Sequence, residues 1–280
     1  MEPLENWIGR YEDAEDVCAL PIVRRLAALL DKNPAAFRHG SEIPQGWHVC
    51  LFTSTAMQSE LGRDGHPLVD KLMPPAPLPR RVLGGRRVAY HGPIIIGDGY
   101  KRRNEIVSVV RKRGKSGEFV LITTRSSIRR EATDDLVVVE EQDSIYMPEK
   151  TERENSVPEQ IVPFASPAFT RDIRFEPSML FRYSAVTFNT HRIHYDLPYA
   201  TQTENYPGLM VNGGFTALLL LDLFSGNVGK KIVKSSIRNR AAIICGGAFR
   251  LCGASQDDGW IMWAEDAQTS RIMLECKIND

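Results

Sequence analysis

The sequence predicts an α+β protein built from a duplicated unit, in which a helix precedes a run of antiparallel strands and the pattern then repeats. Three observations carry this prediction. The chain has 280 residues, about two domains at roughly 150 residues each. Strand-like runs crowd two regions, 87–139 and 231–278, and an apolar helical segment precedes each. Between them, residues 147–168 turn acidic and polar and hold Pro148, Pro158, Pro163 and Pro167, the composition of a linker. The expected division is therefore 1–146, linker 147–168 and 169–280.

The elements follow in order. Val17, Leu20, Val23, Leu26, Leu29 and Leu30 recur at spacings of mostly three and four, which predicts an amphipathic helix over 14–30 with Pro21 inside it. Residues 69–79 contain Pro74, Pro75, Pro77 and Pro79 and read as a loop. Strands are predicted at 87–96, 104–113, 118–128 and 136–139, separated by Gly, Lys and Asp turns. The second half gives a helix at 213–224 and strands at 231–237, 241–251, 259–264 and 271–278. Each sheet is expected to wrap around one buried helix, and the two sheets to pair.

Composition sets the outer limits. With 42% apolar and 25% charged residues, and 35 Lys+Arg against 35 Asp+Glu, the chain has a globular, soluble composition, not a disordered or collagen-like one. Cys18, Cys50, Cys245, Cys252 and Cys276 are odd in number and contain no CxxC pair, so reduced thiols and a cytoplasmic location are expected, without a zinc site. The acidic start shows neither a secretory nor a transit pattern. The apolar run 215–221 is far short of the ~20 residues that span a bilayer.

Zero net charge hides segregation: residues 80–130 carry 14 basic side chains against 3 acidic ones. Such a surplus predicts a surface that meets an anion, with phosphates the usual candidates. The run from Arg111 to Gly117 lies between two strand-like runs and reads as a hairpin turn whose cations are solvated. That weighs against a nucleic-acid partner.

Chemistry concentrates in 182–214. His191 and His194 are three residues apart and Asp196 follows, a set that fits two metal ligands with a carboxylate or an acid/base pair. The acid/base reading is preferred and no metal is expected. A neutral imidazole, with an ordinary pKa near ~6.5, accepts a proton from water at physiological pH. Gly213 and Gly214 open an apolar helix after Asn212, so free N–H groups at its N-terminus make an oxyanion hole candidate.

Together these elements resemble the MaoC-like enoyl-CoA hydratases and dehydratases of the hot-dog fold. In that family's catalytic loop an acidic residue and one variable position precede Asn-Pro-Ile-His, with Ala or Ser six residues after the His. Here Asn189-Thr190-His191-Arg192-Ile193-His194 and Ala200 fill those positions, and Ile193, His194 and Ala200 match directly. The first half resembles the family's N-terminal unit through Ser59-Glu60-Leu61-Gly62, Asp64-Gly65-His66-Pro67, residues 75–81 and His91-Gly92-Pro93-Ile94. The run from Thr187 to Asp196 resembles hydratases of branched C5 dicarboxylyl-CoA thioesters, itaconyl-CoA or mesaconyl-CoA.

The resemblance implies a double hot-dog fold and water addition across a C=C conjugated to a thioester. His194 would transfer the proton, with His191 or Asp196 as alternatives, because Asn189 stands in the acidic position and an amide accepts no proton. Asn189 would hold the water, and the Gly213 N–H would stabilise the enolate. His191, Arg192, Asp196, Tyr199 and Asn212 are the expected substrate-binding residues, with Arg192 toward a distal carboxylate. No cofactor is expected beyond the CoA of the substrate, whose phosphates would meet cations of 80–130 or Lys230, Lys231 and Lys234. A homodimer is an open expectation, and no membrane partner is expected. The competing readings are a (3R)-3-hydroxyacyl-thioester dehydratase of fatty-acyl chains and a non-catalytic acyl-CoA-binding protein.

Overall fold

Among the described residues ten strands pair into one antiparallel sheet whose order shows the duplication. The computed structural model describes residues 3–68, 72–75, 77–78, 80–114, 117–148 and 166–280. Most of the predicted linker and part of the 69–79 loop lie outside the described residues. The first half runs β1 (Tyr11–Val17), α1 (Leu20–Leu29), β2 (Arg80–Tyr90), β3 (Gly99–Gly114), β4 (Gly117–Arg130) and β5 (Leu136–Met147). The second runs β6 (Phe169–Arg174), α2 (Pro177–Thr187), α3 (Gly213–Val228), β7 (Lys234–Asn239), β8 (Ala248–Gln256), β9 (Gly259–Asp266) and β10 (Ile272–Asn279).

Across the sheet the order is β1-β3-β4-β5-β2-β7-β10-β9-β8-β6. Each half thus has the same internal order, and the halves meet where Arg86–Ala89 of β2 pair with Lys234–Ile237 of β7. Sequence alternation explains which side faces in. On β2, Arg86, Val88 and Tyr90 share the inner face because side chains repeat every two residues.

The sheet curls around α3, whose Phe215 to Leu221, Leu223 and Phe224 are all buried. A helix apolar on every side belongs inside a core. Asn212 caps it, its side-chain oxygen accepting from the Gly214 N–H at 2.8 Å. In the first half the described residues between α1 and β2 form only short 3₁₀ turns, of which Trp47–Cys50 is the buried one, against the sixteen residues of α3.

One helix expectation, that over 14–30, is corrected. Ala14 to Val17 belong to strand β1, because Tyr11, Asp13, Glu15 and Val17 alternate outward and the strand pairs with β3, Asp13 opposite Arg103 and Glu15 opposite Lys101. The helix starts only at Leu20, with Pro21 in its first turn, where a missing N–H costs nothing. Strand limits also move: β2 spans 80–90 because the chain leaves the sheet at His91, and β8 begins at Ala248, after the turn at Gly246.

The basic region answers its own charge. Glu105, Arg125, Glu141 and Arg87 stand directly opposite one another on β3, β4, β5 and β2. Arg125 bonds Glu141 at 2.7 Å, and Arg87 bonds Glu141 at 3.2 Å and Asp143 at 2.6 Å. Much of the +11 segment is thus the basic half of cross-strand pairs whose acidic half lies on β1 and β5. The run from Arg111 to Gly117 spans the β3–β4 hairpin end, with Gly114 opposite Gly117.

Candidate active site

The reactive groups gather where the segment after α2 meets the N-terminus of α3. Helix α2 ends at Thr187, its cap Phe188 turns the chain with φ of 49°, and Asn189 Oδ1 then accepts from the His191 N–H at 3.0 Å. A 3₁₀ turn, Arg192–His194, and a π-turn, Tyr199–Thr203, follow. The chain returns at Met210 and Val211 along Ile193 and Ile243, and runs into Asn212 and α3.

His194 is 8% exposed, and its Nδ1 lies 2.8 Å from the Met210 carbonyl oxygen. A carbonyl only accepts, so Nδ1 carries the proton and Nε2 keeps its lone pair. Nε2 points at the Asn212 amide, 3.5 Å away, at the cap of α3. Burial lowers the pKa of His194 while the Met210 bond opposes that shift, leaving it below its ordinary value. The ring is therefore a neutral base at physiological pH, aimed at the helix N-terminus.

At that N-terminus the Gly214 N–H is taken by Asn212, whereas the Gly213 N–H bonds no described residue. A Cβ at 213 would come within 2.7 Å of Asn239 Oδ1. A side chain at 213 would have to push the Asn239 amide aside, whereas glycine leaves the donor open to a ligand. His194, Asn212 and Gly213 come together as the sequence predicts.

The remaining predicted residues separate into two groups. His191 lies between two other imidazoles, 4.1 Å from the His66 ring and 5.5 Å from His194, measured between centroids. Burial first, then the facing His66 and His194, push its pKa down to about 4. Arg192, Asp196 and Tyr199 instead engage one another. Arg192 bonds Asp196 at 2.7 Å and lies 4.2 Å over the Tyr199 ring, and the Tyr199 hydroxyl donates to Glu204. The Arg192 bond holds the Asp196 carboxyl below the usual range. Arg192 is thus occupied in bracing the loop, and Asp196 is its counter-ion.

The structure adds a segment from the first half. The Thr190 hydroxyl donates to the Gly65 carbonyl, the Arg192 N–H to the Asp64 carbonyl at 2.9 Å, and Arg192 Nη1 to the Arg63 carbonyl at 2.9 Å. Gly65 has φ of 88°, and a methyl there would meet the Thr190 carbonyl. The loop 62–67 therefore clamps the catalytic loop across the halves. Asp64, His66 and His191 each place a ligand-type atom within 4.8 Å of the others, a different grouping from the His191, His194 and Asp196 set weighed from sequence. The Asp-Gly-His-Pro run was the available signal, since a glycine beside two chemistry-bearing side chains marks a tight functional turn.

Of the cations expected for CoA phosphates, Lys230 pairs with Asp280 at 2.7 Å and Lys231 with Glu42 at 3.3 Å. Lys234 is exposed, with no ion pair among the described residues. All five cysteines are free thiols. No helix among the described residues is long and apolar enough to cross a membrane.

Comparison with known proteins agrees with this geometry. The family model for hydroxyacyl-thioester dehydratase type 2 matches residues 46–245. The chain is 37% identical over 252 residues to the mesaconyl-C(4)-CoA hydratase of Chloroflexus aurantiacus, covering 90% of this chain and 89% of that protein. Among solved structures, a MaoC-like dehydratase from Phytophthora capsici superposes with a TM-score of 0.72 at 13% identity, covering 99% of this chain and 97% of the other. A Mycobacterium tuberculosis protein described as a double hot-dog fold gives a TM-score of 0.56 at 14% identity, covering 97% and 95%. A duplicated five-stranded order, one helix inside the sheet and a buried histidine at its N-terminus lead to the same place: the chain belongs to the hydroxyacyl-thioester dehydratase type 2 family, MaoC-like hydro-lyases of the double hot-dog fold acting on CoA thioesters.

Proposed function

We propose that this enzyme hydrates a branched C5 dicarboxylyl-CoA, mesaconyl-C4-CoA foremost and itaconyl-CoA second, to citramalyl-CoA. The observation that carries the chemistry is His194, its Nδ1 bound to the Met210 carbonyl and its Nε2 directed at the cap of α3. The likeness to the Chloroflexus aurantiacus hydratase supports the substrate.

In mesaconyl-C4-CoA the β-carbon carries a methyl group and the free carboxylate. A water held between His194 Nε2 and the Asn212 amide gives its proton to Nε2 as its oxygen bonds to the β-carbon. The C=C electron pair moves toward the thioester, whose oxygen becomes enolate-like and receives the Gly213 N–H and the helix dipole. Nε2 then returns a proton to the α-carbon. The Asn189 amide nitrogen remains for the water, since only its oxygen is engaged with His191.

The test is loss of enoyl-thioester absorbance with mesaconyl-C4-CoA, supported by chromatographic detection of product from itaconyl-CoA and crotonyl-CoA, for wild type and His194→Ala. Fast turnover of a dicarboxylyl thioester, abolished by the substitution, is expected. Turnover of crotonyl-CoA alone would move the reading to fatty-acyl dehydration, and no turnover of any would leave a binding protein.

A further inference from the structure

Of the three residues that the sequence offers as a metal set, two are engaged elsewhere. His194 is held by the Met210 carbonyl and faces Asn212, and Asp196 pairs with Arg192. His191 is left: the ring is half-buried, and neither of its nitrogens makes a hydrogen bond with a described residue. It faces an imidazole and a carboxylate from the other half of the chain. Its ring centre lies 4.1 Å from that of His66, and His66 Nδ1 lies 3.2 Å from Asp64 Oδ2.

These three side chains meet the separate requirements of a transition-metal site. One ligand-type atom from each lies within 4.8 Å of the other two. Ligand atoms on a tetrahedral ion with bonds of about 2.0–2.1 Å stand about 3.4 Å apart, so the widest pair has to close by at most about 1.4 Å. His66 and Asp64 are already at that spacing, and an ion would replace the proton between them. The backbone carrying the ligands is fixed. The Arg192 N–H donates to the Asp64 carbonyl, the Thr190 hydroxyl to the Gly65 carbonyl, and the His191 N–H to Asn189 Oδ1; bonds behind the ligands orient them. Asp64 and His66 face solvent, which gives an ion its way in. Two imidazoles and one carboxylate suit zinc, cobalt or nickel, whereas magnesium and calcium prefer oxygen ligands alone.

We propose that Asp64, His66 and His191 form a site for a zinc-class divalent ion that ties loop 62–67 of the first half to the catalytic loop of the second. Water takes the fourth position. The ion carries no step of the hydration; it braces the halves where Gly65 and Thr190 already meet. The site is independent of which thioester the enzyme takes.

The test uses the full chain, stripped with a chelator and dialysed, with Zn²⁺ as the probe. Calorimetry should find one ion bound per chain. His66→Gln is the decisive variant, because its side chain is exposed and hydrogen-bonds only Asp64 among the described residues, and circular dichroism establishes that it folds. It should weaken Zn²⁺ binding by more than the about 10–100-fold that losing a residue behind a ligand costs. Asp64→Asn and His191→Gln should do the same. Hydrogen exchange reads the brace: on adding Zn²⁺ to wild type, exchange should slow in both 62–67 and 189–195, and in neither for His66→Gln. No binding by wild type, or binding unchanged in folded His66→Gln, overturns the site. Binding that slows exchange in only one of the two segments overturns the tie between the halves.

Discussion

The two halves share a strand order and differ in what they place inside it. The second half encloses the sixteen-residue α3, and its polar groups are poised at the helix N-terminus: His194, whose Nε2 meets only the Asn212 amide at 3.5 Å among the described residues, and Gly213, whose N–H bonds no described residue. The first half has a four-residue turn in that place, and its inward polar groups bind one another, His48 and Arg86 on Glu140. A duplicated fold supports one reactive site when one copy leaves its donors and acceptors unspent and the other satisfies its own. The first half still contributes, through the loop 62–67 clamped on the catalytic loop and through the wall of the cavity beside α3.

The contrast is broken or sharpened by variants on each side. His194→Ala should lower kcat/KM by about 10³-fold or more, near the top of the range for a positioned acid/base, with thermal unfolding close to wild type. A similar activity loss on mutating His191 but not His194 would transfer the base to His191. The pH profile gives a second reading of the same group. His194 must be neutral to act, so activity falls as pH drops, and because burial lowers its pKa the acid limb should lie below ~6.5. His191, depressed to about 4, acts on stability in the same direction. The unfolded chain binds more protons between about 4 and ~6.5, so stability is full above that window and declines within it.

Glu140→Ala should show the converse, a stability loss of about 3–5 kcal/mol in denaturant unfolding, because Arg86 is left buried and unpaired. Arg86 lowers the carboxyl of Glu140 to about 2 against the opposing effect of burial, so the pair stays ionised throughout the working range. A loss below about 1 kcal/mol would mean water reaches the pair and would weaken the view of the first half as internally satisfied.

Gly65→Ala probes the clamp between the halves. Its positive φ and the nearby Thr190 carbonyl predict destabilisation of more than about 1 kcal/mol together with slower turnover. Stability loss with unchanged kcat would reduce loop 62–67 to a structural support. The smallest effect is expected for Arg103→Ala, which removes the exposed Asp13 pair on the outer face. Unfolding temperature should stay within measurement error at physiological salt, because exposed pairs are screened.

Much of the fold was legible because antiparallel strands announce themselves by two-residue alternation and turn residues, and six of the eight predicted strands overlap an observed one on most of their length or more; the exceptions are 87–96, which runs past the end of β2 at Tyr90, and 241–251, which is mostly loop before β8. Three elements escaped: β1, whose apolar spacing mimicked a helix while its charges alternated, β6, and α2. His194, Asn212 and Gly213 were readable because local sequence alone brings a loop histidine, a cap and a glycine helix start together. That Arg192, Asp196 and Tyr199 engage one another was not legible, because spacing does not tell which of several nearby polar groups bond each other.

The sequence by itself determined the α+β class, the duplication, the position of the buried helix and the gathering of His194 at the start of that helix, since each rests on periodicity or on residues close in the chain. Only the tertiary structure decided that the basic segment is neutralised by acidic strands β1 and β5, that loop 62–67 closes on the catalytic loop, and that Arg86 lies beside α3. These depend on strand register and on contacts between residues distant in the chain, and in the sheet a shift of one residue sends a side chain to the opposite face.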